Sequence, residues 1–257
     1  MKYSLIVDIG NSQIEMGLFS PNEMVGKFHF ETSKIEIECE KQPLKSFLKR
    51  LNINPSDIDG GLIFSVVPHV TKLVQILIQN EIGLLIEIFN PTKTLKELKC
   101  NVDNPNEIGQ DLIADIVGAI NEYGSPIIVS DLGTVTKNII IDKNGIFQGV
   151  SFFPGVELNV KTLTAKTAQL PEIDFKKPNN FFGKNTIEAM SSGIYYCHVE
   201  AIKGFMENTE QYFGYEFKKV ITGGLSSLFS NDFLSPKYIL DPDLVLKGMY
   251  LIYKNQK

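Results

Sequence analysis

Tryptophan is absent from the 257 residues, and histidine and cysteine occur three times each. The cysteines, Cys39, Cys100 and Cys197, are odd in number and widely scattered. That excludes a disulfide-stapled scaffold and any Cys-x-x-Cys metal spacing, so free thiols in a reducing cytosol are expected. His29, His69 and His198 stand alone along the chain and read as surface or core residues rather than a catalytic set. Excess positive charge is also missing: 25 Lys and Arg against 30 Asp and Glu leave a net charge of -5. Such a balance gives no electrostatic footprint for a phosphate polymer, and no nucleic-acid partner is expected. No apolar run approaches the ~20 residues that cross a bilayer. The opening "MKYSLIVDIGNSQ" runs from a short apolar stretch straight into a glycine turn, as a first strand does and a signal peptide does not. A cytoplasmic protein that engages no membrane is expected.

What remains is an ordinary globule, with 43% hydrophobic and 21% charged residues, long enough for one large domain or two of moderate size. "SLIVDIG" reads as a buried strand. In "IEMGLF", Ile14, Met16 and Leu18 alternate with Glu15 and Gly17, as in a half-buried partner. A mixed, charged segment follows. Then come the helix "PLKSFLKRLNI", the strand "GGLIFSVVP", the helix "HVTKLVQILIQNEIG" and the strand "LLIEIFN". The second half begins with the helix "GQDLIADIVGAINEYG" and a meander of "PIIVSDLG", "KNIIID" and "IFQGVSFF". It continues with the helices "VELNVKTLTAKTAQL" and "TIEAMSSGIYYCHVEAIKGFMENT", the strand "KKVITGG" and the helix "DLVLKGMYLIYK". Strands alternating with helices predict an α/β fold.

"VDIGNSQIEMGLF" and "VSDLGTVTKNIII" share one outline: strand, aspartate, apolar residue, glycine, polar turn, strand. Asp8 and Gly10 thus correspond to Asp131 and Gly133, and an internal duplication is the economical reading. It predicts two domains, 1–114 and 115–257, with a small-ligand cleft between them. The glycines allow positive φ and close approach of backbone N–H groups to an anion, so both turns are candidates to cradle phosphate. Asn11, Ser12 and Thr134 add side-chain donors, and an aspartate before such a turn suits a hydrated cation. Taken singly, each turn is also explained by hairpin geometry. A third glycine turn, "ITGGLSS", places Gly223 and Gly224 where a base and ribose could approach.

The ordered motifs "DIGNS", "SVVP", "NPNEIGQD", "DLGTVT", "GVSFFPG", "GKNTIEAMSSG" and "ITGG" resemble those of the type III pantothenate kinases over almost the whole chain. That family belongs to the acetate and sugar kinase, Hsp70 and actin superfamily, so the resemblance implies duplicated RNase H-like (actin-like ATPase) domains with a nucleotide cleft. It further implies transfer of the ATP γ-phosphate to pantothenate, the first step of coenzyme A biosynthesis, with Mg²⁺ and a monovalent cation (K⁺ or NH₄⁺) in a homodimer. ATP positions fall on Asp8, Ile9, Gly10, Asn11, Ser12, Gln13, Ile14, Glu15, Gly133, Thr134, Gly223 and Gly224. Substrate positions fall on Val102, Gly109, Gln110, Asp111, Leu112 and Thr186. Asp8 would stand near magnesium, Asp131 would hold the monovalent cation, and Asp111 would accept the proton. Where the family has arginine, tyrosine and a further threonine, this chain has Leu112, Val102 and Lys137.

In "GQDLIADIVGAI", Leu112, Ile113, Ile116, Val117 and Ile120 form an apolar stripe, with Asp111 and Asp115 expected off it. Asp111 sits in the first turn, where the helix dipole keeps a carboxylate ionised. A weak base suffices for phosphoryl transfer, which depends on alignment and charge neutralisation. Two other readings meet the same motifs. One is a family member that binds nucleotide but acts as a regulatory protein or on another acceptor; the other is an RNase H-like nuclease, which would need several carboxylates around two metals.

Overall fold

The computed structural model describes residues 2–167 and 169–256. Among them, two five-stranded sheets form. The first contains β1 (Tyr3–Ile9), β2 (Gln13–Phe19), β3 (Met24–Glu31), β4 (Ile58–Ser65) and β5 (Glu87–Ile88), in the order β3-β2-β1-β4-β5. The second contains β6 (Ile127–Leu132), β7 (Val135–Ile141), β8 (Phe147–Pro154), β9 (Lys218–Thr222) and β10 (Tyr238–Leu240), in the order β8-β7-β6-β9-β10. In each sheet the first three strands form an antiparallel meander, and the last two add in parallel beside the first. The same topology twice is the duplicated RNase H-like fold, and β1 is the counterpart of β6.

The helices are α1 (Ile35–Glu40), α2 (Pro43–Arg50), α3 (Pro68–Ile82), α4 (Thr92–Glu97), α5 (Gln110–Tyr123), α6 (Val156–Lys166), α7 (Thr186–Phe213) and α8 (Leu244–Gln256). None is long and apolar enough to cross a membrane. Because strand side chains alternate, Leu5, Val7 and Ile9 share a face with their neighbours Ile14, Met16 and Leu18. That face buries Leu44, Phe47 and Leu48 of α2 and Val70, Val74 and Leu77 of α3. The other face of the first sheet receives α8, where Phe19 stacks on Tyr250 with centroids 4.3 Å apart. In the second sheet, Ile128, Leu132 and Ile221 pack on Tyr195, Val199, Ile202 and Met206 of α7.

Two compact units result. The first takes residues up to Leu98, Asn104–Gly118 and the chain from Leu244 on; the second takes Lys99–Asp103 and Ala119–Asp243. Instead of a single cut after residue 114, the division falls within α5, and α8 returns to the first unit. α5 and α8 meet backbone to backbone: a Cβ at Gly248 would lie 1.9 Å from Ala114 O, and one at Gly118 would lie 2.9 Å from Leu244 O. Because α5 is enclosed on several sides, Asp115, expected off the apolar stripe, is fully buried.

Other differences from the sequence reading are local. The charged segment after β2 is a strand, β3. "LLIEIFN" forms only the two-residue β5. α6 ends at Lys166, and Ala168 of its expected extension lies outside the described residues. The three cysteines, by contrast, are free as expected.

Candidate active site

In the first unit, the site assembles at the carboxyl ends of β1 and β4, where open α/β sheets bind ligands. Asp8 is the register partner of Glu15, so the two carboxylates stand side by side on the face opposite the aliphatic row. The turn beyond them closes with the Gly10 N–H donating to Gln13 O at 2.9 Å. Thr32, just past β3, latches the turn: its hydroxyl donates to Gly10 O at 2.8 Å and its amide to Ser12 O at 2.9 Å. Asn11 and Gln13 are exposed, whereas Ile9 and Ile14 are buried and anchor the turn in the core.

β4 brings the helix that carries Asp111 to this turn. Ser65 is the register partner of Ile9, and the Ser65 N–H donates to Gln110 Oε1 at 3.1 Å. The first turn of α5 is thereby tied to the end of β1. Asp111, half-buried in that turn, accepts a hydrogen bond on Oδ1 from the Leu112 N–H at 2.9 Å. Gly109 makes room for the carboxylate, since a Cβ there would lie 2.6 Å from Asp111 Oδ1. Leu112 is 5% exposed and turns into the core.

In the second unit, the matching turn follows β6. The Gly155 N–H donates to Thr134 O at 3.0 Å, and a Cβ at Gly155 would lie 2.2 Å from Gly133 O. Gly155, at the end of β8, thus holds the second turn as Thr32 holds the first. Gly223, at φ +90°, lies against β6, where an added Cβ would stand 2.3 Å from Asp131 Oδ1; Gly224 beside it is exposed. Neither Gly10 nor Gly133 uses the positive φ that glycine allows. These two turns are closed by strand pairing and by their latches, so they need no left-handed residue.

Asp131 is buried, and its register partner is Lys137. Lys137 Nζ stands 2.5 Å from Asp131 Oδ2, with the side chains only 12% and 7% exposed. These residues do not fit an external monovalent cation at Asp131, because an ammonium already holds the oxygen that would ligate it. Asp8 fits a divalent cation carried mainly by nucleotide phosphates, with Glu15 beside it held by Lys27 Nζ at 2.7 Å. Among the described residues, no cluster of three or more His, Cys, Asp or Glu could hold a metal by itself.

Thr186 and Val102 belong to the second unit. Thr186 is exposed at the start of α7, behind the N-cap Asn185, whose Oδ1 accepts from the Glu188 N–H at 2.9 Å. Val102 is half-buried in the loop before α5. In the loop of residues 174–184, Lys177 pairs with Asp232 at 3.1 Å and Lys176 with Asp174 at 2.7 Å. His198 is buried and shares a 2.9 Å hydrogen bond with Thr136, and burial lowers its pKa to about 4. It is a neutral core residue, as its isolation in sequence suggested.

Sequence reasoning missed the two latches and the Asp131–Lys137 pair. The latches come from distant strands and carry no local signal. The pair could have been found by counting outward across the hairpin turn.

A family profile described as type III pantothenate kinase matches residues 4–208. A type III pantothenate kinase of Agathobacter rectalis is 34% identical over 260 residues, covering 98% of this chain and 97% of that protein. Among solved structures, a conserved Baf family protein of Campylobacter jejuni is 19% identical with a TM-score of 0.57, covering 98% of each chain. Component A of (R)-2-hydroxyglutaryl-CoA dehydratase from Acidaminococcus fermentans is 14% identical with a TM-score of 0.53 over 100% of both. At those identities the two structures show the fold alone, while the profile and the curated relative span most of the sequence: this chain belongs to the type III pantothenate kinase family.

Proposed function

We propose that this chain transfers the γ-phosphate of ATP to the hydroxyl of pantothenate, giving 4'-phosphopantothenate in the first step of coenzyme A biosynthesis. The observation that carries this reading is the tether between Ser65 and Gln110, which fixes the Asp111 helix start at the end of β1, next to a latched polar turn. Each turn by itself offers backbone N–H donors to phosphate oxygens, Asn11 and Ser12 in the first unit and Gly133 and Thr134 in the second. Asp8 and Glu15 orient the metal-bound phosphates. Magnesium, when bound, neutralises charge on the transferring group. Asp111 aligns the pantothenate hydroxyl and takes its proton; its place in the first turn of α5 keeps it ionised for that role. Gly109, Gln110, Val102 and Thr186 are proposed to shape the acceptor side, and Gly223 and Gly224 the nucleoside side. With Leu112 in the core, the acid end of pantothenate is held by something other than side chain 112.

A homodimer in the cytoplasm is part of this reading. Phe181 and Phe182, 71% and 68% exposed, are apolar surface of the kind a second copy covers.

The test is a coupled ATP assay with pantothenate on the wild type and Asp111→Asn. The substitution is expected to lower kcat by about 10²- to 10³-fold while leaving the KM for ATP within twofold. An Asn variant as fast as the wild type would overturn the role of Asp111. Absence of pantothenate turnover in the wild type would overturn the substrate assignment.

A further inference from the structure

The hairpin at the end of β6 carries a charge arrangement that departs from what the family resemblance implies. We propose that Lys137 is a resident cation: its ammonium takes the place beside Asp131 that potassium or ammonium would otherwise fill, and this chain works without a monovalent cation. The inference rests on the kinase reading above and concerns the same site.

Four observations converge on it. Asp131 and Lys137 are register partners on adjacent antiparallel strands, so the ammonium is delivered by the strand beside the acid and held by the ladder. The Nζ–Oδ2 separation is 2.5 Å with both side chains nearly enclosed, and a buried carboxylate requires such a partner. The other carboxylate oxygen, Oδ1, is walled by Gly223, where even a Cβ would come within 2.3 Å. Finally, the neutral oxygens that β7 could lend to an ion lie on the opposite face of the sheet. Thr136 there is bonded to His198 at 2.9 Å and Asn138 to the Ser130 hydroxyl at 2.5 Å.

The electrostatics agree. A second monovalent cation about 4 Å from Nζ, at the dielectric typical near a protein surface, would bind on the order of a thousandfold more weakly than beside an unpaired acid. Potassium also needs a ring of oxygens to replace its hydration shell, whereas the ammonium needs only the acid and hydrogen-bond acceptors.

The experiment compares the wild type with Lys137→Thr, which restores the residue type usual in the family, and with Lys137→Arg, which keeps a charge. Phosphorylation of pantothenate is measured in potassium, ammonium and tetramethylammonium chloride at equal ionic strength. Crystals of each protein soaked in thallium(I) are examined for an anomalous peak at Asp131. The wild type and Lys137→Arg are expected to vary less than twofold among the salts and to show no thallium there. Lys137→Thr is expected to gain at least tenfold activation by potassium and a thallium peak. Tenfold potassium activation or a thallium peak in the wild type would overturn the inference, as would a Lys137→Thr protein indifferent to both ions. If no protein turns over pantothenate in any salt, the kinase reading fails and the thallium maps still decide the role of Lys137. If Lys137→Thr does not fold, the wild-type measurements decide.

Discussion

At the end of β1, Asp8 faces Glu15 across the ladder, whereas at the corresponding end of β6, Asp131 faces Lys137. The sheets around these pairs have the same strand order and the same directions, and each turn is latched by a residue just past the third strand. Two facing carboxylates repel unless a cation lies between them, which suits a strand end that meets metal-bound phosphates. A carboxylate facing an ammonium is already neutral and needs no ion from solution. Glu15 also pairs with Lys27 of β3 at 2.7 Å, so part of its charge is met from the next strand. Duplication has preserved the scaffold, then, and one cross-strand neighbour has set the charge of each half.

The comparison can be broken or sharpened by substitution, and the largest effect is expected at the backbone latch of the second turn. Gly155→Ala puts a Cβ against two carbonyl oxygens of the second turn, and the backbone must shift. Chemical denaturation should report a loss of about 3 kcal/mol, the upper end for overpacking, together with loss of the thermal stabilisation given by ATP.

A second difference between the units is the buried His198 behind β7. Its folded pKa of about 4 lies below the usual 6.5, so between those values the unfolded chain binds the proton and the folded one does not. Stability is full above pH 6.5 and is lost as pH falls toward 4, by about 2 kcal/mol at pH 5. His198→Gln, which can still bond Thr136, should flatten that acid limb in denaturation curves. An unchanged limb would assign it to other groups.

Glu15→Lys writes the charge pattern of the second unit into the first. The expected result is about a tenfold rise in the KM for magnesium–ATP, equivalent to about 1.4 kcal/mol, with kcat less affected. A neutral effect would show that Asp8 alone orients the metal. The smallest effect belongs to Thr32→Val, which removes the hydrogen bond to Gly10 O and should cost about 1 kcal/mol of stability. Beside Gly155→Ala, it measures how much a side-chain latch differs from a backbone one.

Much of this architecture was legible in the sequence because its signals are local. The alternation of Ile14, Met16 and Leu18 marks β2, the outline shared around Asp8 and Asp131 marks the repeat, and Gln110 to Tyr123 carry helical periodicity. The parts that escaped depend on distant partners. β3 lacks a clean alternation because most of its residues are only half-buried. Asp115 looks like a surface acid until α8 covers the helix from more than a hundred residues away. Site residues carried by motifs were nameable, but their ion partners were not, since Asp131 and Lys137 meet only in register.

The close passage of α8 over α5, through Gly118 and Gly248, also bears on the order in which the molecule is made. The first unit is assembled from three separate stretches of chain, and the face of its sheet opposite α2 and α3 lacks α8 until residues from Leu244 onward leave the ribosome. The second unit is nearly continuous and has all its strands by Leu240. Since a unit can close only once all its segments have emerged, the Asp111 helix gains its final support only after every strand of the second unit has been made.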